Sequence, residues 1–280
     1  MASTSGRSSG KQILVQIIMI LLAIIALVPI YLLMINATRS TEQINTGLTL
    51  IPGGNAMFNW GVLTGRGFQI WQGFGNSAII SVSTTILSVY FSAMTAYGLH
   101  VYRFKGRALL WTVILIIIML PATLSIIGFF QFISLIKLRD SYIPLIIPSI
   151  AAAGTVLFLR QYMSSAISNE LIDAARIEGA GEYRIFNSIS LPVMLPALAA
   201  QSIFTFVGSW NNFITPFILL SSEKKYTLPM LVQSLRGNIY RAEVGAIYLG
   251  IAISLVPIIL FYAFMSRFII SGITMGSMKE

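Results

Sequence analysis

The chain contains no cysteine and a single histidine, which excludes a disulfide framework and a thiolate zinc site. Charged residues are also scarce, because Asp, Glu, Lys and Arg make up only 10% of the 280 residues, against about 25% in soluble domains. Hydrophobic residues make up 56%, which indicates an integral membrane protein. The net charge of +9 is distributed over short segments, which favours loops beside an anionic bilayer over a nucleic-acid-binding domain.

Six uncharged windows are each long enough for one transmembrane helix, which needs about 20 residues. Charged side chains are costly in hydrocarbon, so the charges on either side bound each window. The windows are residues 12–38, 67–102, 108–136, 141–159, 185–222 and 244–266. We therefore predict an all-α membrane protein with six transmembrane helices. In the second window we expect a loop up to Asn76 and a helix that begins near Ser77.

An even number of transmembrane helices places both termini on the same side of the membrane. The dense cluster Arg103–Arg107 lies in a very short loop on that side, and the positive-inside rule therefore places the termini in the cytoplasm. The predicted organisation is a cytoplasmic tail at 1–11, a first transmembrane helix at 12–36, an extracellular loop at 37–72, a five-helix core at 73–270 that includes a cytoplasmic loop at 160–191, and a cytoplasmic tail at 271–280.

The cytoplasmic loop has the local pattern of two short helices. We expect Asn169 to cap the first helix, with carboxylates in its opening turn, and Gly179 to end it. Helical spacing places four residues on one face, namely Leu171, Ala174, Ala175 and the stem of Glu178. The second helix is predicted at Glu182–Ser188. This pattern is typical both of an amphipathic loop that lies on the membrane and of a docking element for a cytoplasmic partner.

The spacing within this loop follows a known pattern. Asp173-Ala174-Ala175 is followed after three residues by Gly179, and after nine more by Ile189-Ser190-Leu191-Pro192. The loop thereby resembles the signature loop of ABC importer permeases, with Asp173 in place of the usual Glu. The resemblance extends to further segments in the expected order, namely Ala96–Leu99, Tyr102–Arg107, Met119–Pro121, Leu138–Tyr142, Trp210–Phe213 and Gly272–Lys279. It points to sugar permeases similar to the shorter, six-span subunit of the maltose transporter.

This resemblance implies a type I importer fold in the cytoplasmic membrane of a prokaryote. It also implies a role as a pore subunit, not an enzyme, in a complex that imports a carbohydrate, expected to be an oligosaccharide. The implied partners are a second, unlike permease subunit, two copies of an ATP-binding subunit that hold ATP and Mg, and an extracellular sugar-binding protein. No cofactor is expected on this chain.

The resemblance further implies that the short helix around Asp173–Gly179 is a coupling helix seated in a groove of the ATP-binding subunit. The residues expected at that contact are Glu170, Asp173, Ala174, Ala175, Arg176, Glu178, Gly179 and Ala180. The tail from about Ser271 is expected either to contact the same subunits or to fray.

Two further groups of residues are candidates for binding. Trp210, Asn211 and Asn212 lie within the fifth predicted helix, where amides and an indole suit sugar hydroxyls, although Asn also joins helices by hydrogen bonds. A second group in the last predicted extracellular loop is basic and suits contact with an acidic binding protein, or is simply solvated. Its members are Lys224, Lys225, Arg236 and Arg241.

The sequence also bears on other functions. No G-x-x-x-x-G-K-[ST] pattern occurs, so the chain is not expected to be the ATPase. A secondary, ion-coupled transporter is the main alternative, and the placement of all charges in predicted loops argues against it because no proton relay remains. A membrane hydrolase is disfavoured because H-E-x-x-H and G-x-S-x-G are absent.

Overall fold

The computed structural model describes residues 8–65, 69–121, 125–235 and 243–276, and within these ranges the chain is helical and contains no β-strand. The chain divides into two compact units, Met1–Gln69 with Val232–Leu255 and Ile70–Leu231 with Val256–Glu280. The α-helices are α1 (Ser8–Asn36), α2 (Thr41–Asn45), α3 (Ala56–Thr64), α4 (Ile70–Val101), α5 (Arg107–Met119), α6 (Ile126–Leu135), α7 (Ile143–Ile146), α8 (Ala153–Ala166), α9 (Asn169–Ile177), α10 (Glu182–Ile185), α11 (Leu191–Val193), α12 (Leu195–Trp210), α13 (Ile214–Leu219), α14 (Leu228–Ser234) and α15 (Val244–Gly276). Short 3₁₀ turns lie at Ile147–Ser149 and Glu223–Lys225, and a π-helical segment lies at Phe186–Ser190.

The first unit contains α1 and a small folded segment that follows it. The most apolar stretch of α1, within Gln12–Asn36, has no buried residue, as expected of a helix that faces lipid or a partner. Beyond it, the buried Arg39 guanidinium donates to Asn36 Oδ1 (3.2 Å), to the Gly47 carbonyl (3.1 Å) and to the Gln43 carbonyl. These bonds satisfy a buried charge and hold α2 in the segment where the sequence predicts only an extracellular loop.

In the second unit, α4 begins at Ile70, so the predicted loop up to Asn76 is wrong. The first two turns are helical because they pack against the chain around Leu228. A Cβ on Gly73 would lie 2.3 Å from Leu231 Cδ1, and Asn76 Nδ2 donates to the Lys224 and Tyr226 carbonyls at 2.9 Å each. Glycine and asparagine here serve close packing, whereas by local preference they favour loops.

The core of the second unit lies where α4 packs against α8 and α12. Small hydroxyl residues along α4 are buried in this contact, and their size lets the helix backbones approach closely. They include Ser77, Ser81, Thr84, Ser88 and Ser92. The apolar core continues around Leu159 and Met163 of α8, so this three-helix contact supports the loop at residues 160–191.

Four helical stretches of the described residues are long and apolar enough to cross a membrane, and a fifth arises if the bent pair Glu182–Val193 and Leu195–Trp210, with its 80° bend, is one span. The third predicted window instead holds two shorter helices, α5 and α6. Leu120 is extended (φ −77°, ψ 129°) because it precedes Pro121, and α5 therefore ends at Met119. The described helices thus do not give six continuous spans.

The fourth span also differs from its predicted window. It runs over Ile143–Ala166 and therefore includes Arg160, although all charges are predicted to lie in loops. The Arg160 guanidinium lies 3.8 Å from the centroid of the Trp111 ring, which provides a favourable surface for a cation. This contact allows a charged residue to lie near the end of a membrane-spanning helix. The predicted helix boundary at residue 159 is wrong, because the helix continues to Ala166.

Candidate functional site

Helix α9 forms the centre of the loop at residues 160–191. Its N-cap is Ser168, whose hydroxyl accepts a hydrogen bond from the Leu171 amide at 3.4 Å, so the prediction of Asn169 as the cap is wrong by one residue. The carboxylate of Glu170 lies in the first turn, where its own backbone amide and the Ser168 hydroxyl lower its pKa. The predicted first helix is otherwise confirmed.

The end of α9 at Gly179 is confirmed and has a defined geometry. Gly179 has φ +82°, and its amide donates to the Arg176 carbonyl at 3.0 Å. The Ala180 amide donates to the Ala175 carbonyl, also at 3.0 Å. This pair of bonds is the Schellman motif, in which a left-handed residue ends the helix and satisfies its last carbonyl groups.

Helix α9 buries one narrow face and exposes the rest. Ile172 and Ala175 are buried against the core, whereas Leu171 and Ala174 are exposed. The predicted shared face of Leu171, Ala174, Ala175 and Glu178 is therefore wrong in one respect, because Ala175 points inward. The exposed face includes Ile177, which is 87% exposed. Together with Leu171 and Ala174 it forms an exposed apolar face of the helix.

Arg176 joins the two halves of the loop. Its Nε donates to Glu182 Oε1 at 2.7 Å, and its Nη1 donates to Asp173 Oδ1 at 3.0 Å. Glu182 Oε2 accepts hydrogen bonds from the hydroxyls of Tyr102 (2.6 Å) and Tyr97 (3.4 Å). Since Tyr97 lies near the C-terminal end of α4, this network ties α9 to that end of a core helix.

The groups in this network shift one another's pKa values. The hydrogen bonds from Arg176 and Tyr102 lower the pKa of Glu182, and the ion pair with Glu182 raises the pKa of Arg176. Burial and the hydrogen bond to Glu182 raise the pKa of Tyr102 to about 12. All three groups therefore keep the protonation states that the network needs at neutral pH.

The second part of the loop is a continuous helical segment that leads into the core. The predicted helix at Glu182–Ser188 is longer in the structure, because the π-helical segment and α11 continue it to Val193. Ile185 and Phe186 are buried, and Asn187 Oδ1 accepts a hydrogen bond from the Tyr90 hydroxyl at 3.1 Å. The chain then bends by 80° into α12.

The three candidate pathway residues have different surroundings. Trp210 is only 1% exposed, and its ring stacks on Phe206 with the centroids 5.6 Å apart. Helix α12 ends at Trp210, so Asn211 and Asn212 lie beyond the helix in which they were predicted. Asn211 is exposed. Trp210 is thus a core residue, and the triplet does not form one surface.

Asn212 is the member of the triplet that lines a cavity. The cavity has a volume of about 280 Å³, and its walls include the hydroxyl residues Ser149 and Thr215. Asn212 Oδ1 accepts a hydrogen bond from the Thr215 amide at 3.3 Å, and Nδ2 has no partner among the described residues. A free amide donor beside hydroxyl groups is suited to a polar, hydroxylated ligand.

Of the four basic residues predicted to contact a binding protein, the two that the structure describes differ in their exposure and in whether their charge is already paired. Lys225 Nζ donates to Asp140 Oδ2 at 3.0 Å, so its charge is already paired, whereas Lys224 is exposed. Arg236 and Arg241 lie outside the described residues, as does the end of the tail beyond Gly276. Among the described residues, no group of three or more His, Cys, Asp or Glu side chains is arranged to hold a metal ion.

Sequence reasoning missed Glu182, Tyr102 and Asp140 as members of these networks. Tyr102 lies in a segment with a recognised motif, but nothing in the motif indicates a bond to a residue 80 positions away. Asp140 accepts from the amides of Ser221 and Ser222, again from a distant part of the chain. Such partners carry no local sequence signal.

The chain is similar in sequence to a family of transport proteins and to individual permease proteins. The family described as "Binding-protein-dependent transport system inner membrane component" matches residues 88–274. The chain is 38% identical over 264 residues to the arabinooligosaccharides transport system permease protein AraQ of Halalkalibacterium halodurans, which covers 92% of this chain and 93% of that protein. It is 34% identical over 281 residues to AraQ of Bacillus subtilis, with 98% of each chain covered.

The fold is also found in a solved structure. A chain in the crystal structure of a bacterial ABC transporter involved in the import of the acidic polysaccharide alginate superimposes with a TM-score of 0.77. The two sequences are 22% identical, and the match covers 95% of this chain and 98% of that one. The fold is therefore shared at a level of identity that says nothing of the cargo.

Proposed function

The chain belongs to the binding-protein-dependent transport system inner membrane component family, and on that premise we propose that it is the pore subunit through which an ATP-driven importer moves an oligosaccharide. It is a membrane-embedded protein with the type I ABC importer permease fold. Members of the family are permease subunits, and the ATPase is a separate subunit. Its partners are a second permease subunit, two ATP-binding subunits and an extracellular sugar-binding protein.

The observation that carries the proposal is the construction of α9. The helix is short, ended by the left-handed Gly179, fixed to the second half of the loop by Arg176, and anchored to α4 through the Glu182 hydrogen bonds. Its outer face, with Ala174 and Ile177, is left uncovered. A rigid element with an uncovered small and apolar face is what a coupling helix needs to pass motion from an ATPase to a transmembrane bundle.

The residues expected at the coupling contact divide into two roles under this proposal. Ala174, Glu178, Gly179 and Glu170 are exposed and contact the ATP-binding subunit. Ala175 is buried, and Arg176 is bound to Asp173 and Glu182. Ala175 and Arg176 therefore hold the helix in position and are not the main contacts to the ATP-binding subunit. Closure of two ATPases around ATP and Mg then draws the helix inward and rotates the attached core.

We further propose six membrane crossings with both termini in the cytoplasm of a prokaryote. The break at Leu120-Pro121 between α5 and α6 lies inside the third crossing, and the 80° bend at Val193–Leu195 lies at the start of the fifth. Prolines interrupt transmembrane helices where neighbouring helices satisfy the freed backbone groups.

An oligosaccharide is the cargo supported by two observations. Two relatives that are at least 34% identical and aligned over nearly their whole length are named for arabino-oligosaccharide transport. The cavity at Asn212 presents an unpaired amide donor and the hydroxyls of Ser149 and Thr215, groups that match sugar hydroxyls. On the outer side, the exposed Lys224 is a basic residue available to an acidic binding protein, with Arg236 and Arg241 as further candidates.

Cysteine cross-linking tests the docking role, because the chain has no native cysteine. Single variants Ala174→Cys and Ala175→Cys are made in the complex purified from native membranes, and a short cross-linker that joins a thiol to a lysine amine is added. We expect Ala174→Cys to cross-link to an ATP-binding subunit and the buried Ala175→Cys to remain unlinked. A complex that contains no ATP-binding subunit, or equal linking at both positions, would overturn the proposal.

A further inference from the structure

A cavity with an unbalanced positive charge lies between α9 and the short segment that joins α4 to α5. Its volume is about 600 Å³. The walls include His100, Arg103 and Arg107 from the α4–α5 side and Asp173 and Arg176 from α9. Every wall residue belongs to the second compact unit.

The charges around this cavity do not cancel. Arg176 is paired with Asp173 and with Glu182, so its charge is offset within the loop. Arg103 and Arg107 have no carboxylate partner among the described residues, and the side-chain hydrogen bond of Arg107 is a 3.4 Å contact to the Tyr102 carbonyl. The site therefore favours an anion.

Arg103 and Arg107 lie at the junction between two apolar helices, at the level expected for the membrane surface. Helix α4 is a candidate span that ends at Val101, and the apolar helix α5 begins at Arg107, so Tyr102–Gly106 is a five-residue segment between two apolar helices. Exposed aromatic side chains alternate with basic ones here, as in Tyr102, Arg103 and Phe104. This arrangement is typical of the boundary between hydrocarbon and lipid headgroups.

From these observations we propose that Arg103 and Arg107 bind the phosphate of an anionic phospholipid headgroup in this cavity. Guanidinium groups bind phosphate oxygens with paired, charge-assisted hydrogen bonds. Phe104, Leu109 and Leu110 follow the two arginines closely along the chain and are exposed, so they offer an apolar surface to an acyl chain, which a free phosphate ion would not use. Because Asp173 and Arg176 line the same cavity, the bound lipid also contacts the base of α9.

The experiment measures lipid retention by the full chain purified with its co-purifying subunits. The complex is delipidated in neutral detergent, titrated with phosphatidylglycerol or phosphatidylcholine, and analysed by native mass spectrometry. We expect the parent to hold one phosphatidylglycerol tightly. Arg103→Gln/Arg107→Gln should bind it about 25-fold more weakly, from roughly fivefold for each basic side chain at an anionic surface. The control Lys137→Gln/Arg139→Gln removes the same charge from the exposed segment between α6 and α7 and should bind like the parent.

Three results would overturn the proposal. Equal loss of phosphatidylglycerol in both double variants would indicate a non-specific charge effect. Displacement by millimolar inorganic phosphate would assign the site to a soluble anion. Unchanged lipid retention with loss of the ATP-binding subunit would assign the arginines to a protein contact. The variant Arg103→Lys/Arg107→Lys keeps the charge but not the paired hydrogen bonds, so it should recover part of the affinity, which separates lost binding from lost folding. The cross-linking at Ala174 does not depend on this outcome.

Discussion

The Nε atom of Arg176 lies 2.7 Å from Glu182 Oε1, and the two residues stand on opposite sides of the left-handed turn at Gly179. The ion pair therefore closes the turn and fixes the direction of α9 against the second half of the loop. Because Glu182 also accepts from Tyr97 of α4, a force on α9 is passed to a core helix through polar contacts as well as through packing.

Replacement of Glu182 tests this connection. Glu182→Gln should lower the transport rate severalfold and uncouple part of the ATPase activity, while the stability changes by less than about 1 kcal/mol, since the pair is partly exposed. The measurement is transport and ATP hydrolysis by the same reconstituted complex. Glu223→Gln, the same change at an exposed residue far along the chain, is the control and should leave both rates unaltered.

Gly179 offers a test of backbone geometry. A side chain at Gly179 meets no atom within 4 Å, so Gly179→Ala should cost about 1–2 kcal/mol through the left-handed conformation and not through a clash. Gly179→Asn should lose less, because asparagine tolerates this conformation. Gly181, with φ −69° and equally open space, is the matched control. In thermal unfolding, Gly181→Ala should have the highest melting temperature of the three variants, Gly179→Asn an intermediate one and Gly179→Ala the lowest. The reverse order would contradict the interpretation.

Asp140 should contribute more to stability than its ion-pair partner. Its carboxylate accepts from the Ser221 and Ser222 amides at 3.0 Å each and from the Ser222 hydroxyl at 2.6 Å, in addition to Lys225. Asp140→Asn should therefore destabilise the protein by about 1–3 kcal/mol, and Lys225→Met by under about 1 kcal/mol. Equal losses in denaturation of the two purified variants would show that the ion pair, and not the amide contacts, is decisive.

Because Asp140 titrates, its contribution to the stability of the protein should depend on pH. The Ser222 hydroxyl and the Ser221 and Ser222 amides lower the pKa of Asp140, so the folded state holds its proton more weakly than the unfolded state. Its contribution is complete above the unfolded pKa of about 3.9 and is lost as the pH falls through the lower folded pKa. The difference in melting temperature between the parent and Asp140→Asn should be constant near neutral pH and shrink only below about pH 4.

Trp210 and Asn212 should respond in different ways. Trp210→Ala removes a buried ring and should destabilise by about 3–5 kcal/mol, with transport reduced in step with protein level. Asn212→Ala should leave protein level unchanged and raise the substrate concentration needed for half-maximal transport. The exposed neighbour Asn211→Ala is the control. A transport defect in Asn211→Ala as large as in Asn212→Ala would argue against the cavity as part of the pathway.

The sequence by itself determined the features that depend on local chemistry. Long uncharged windows predict a membrane protein because charge is costly in hydrocarbon wherever it lies. The end of α9 at Gly179 was predictable because a left-handed residue is a local requirement. The spacing from Asp173 to Pro192 was sufficient to indicate the family, which residues 88–274 confirm.

Only the tertiary structure decided which residues meet. The early start of α4, the burial of Trp210 and the pairing of Lys225 with Asp140 all depend on parts of the chain that are far apart in sequence. The same is true of Glu182, which binds tyrosines 80 and 85 positions away. Hydropathy and spacing describe a residue and its neighbours along the chain, whereas packing and hydrogen bonding depend on which helices the fold brings together.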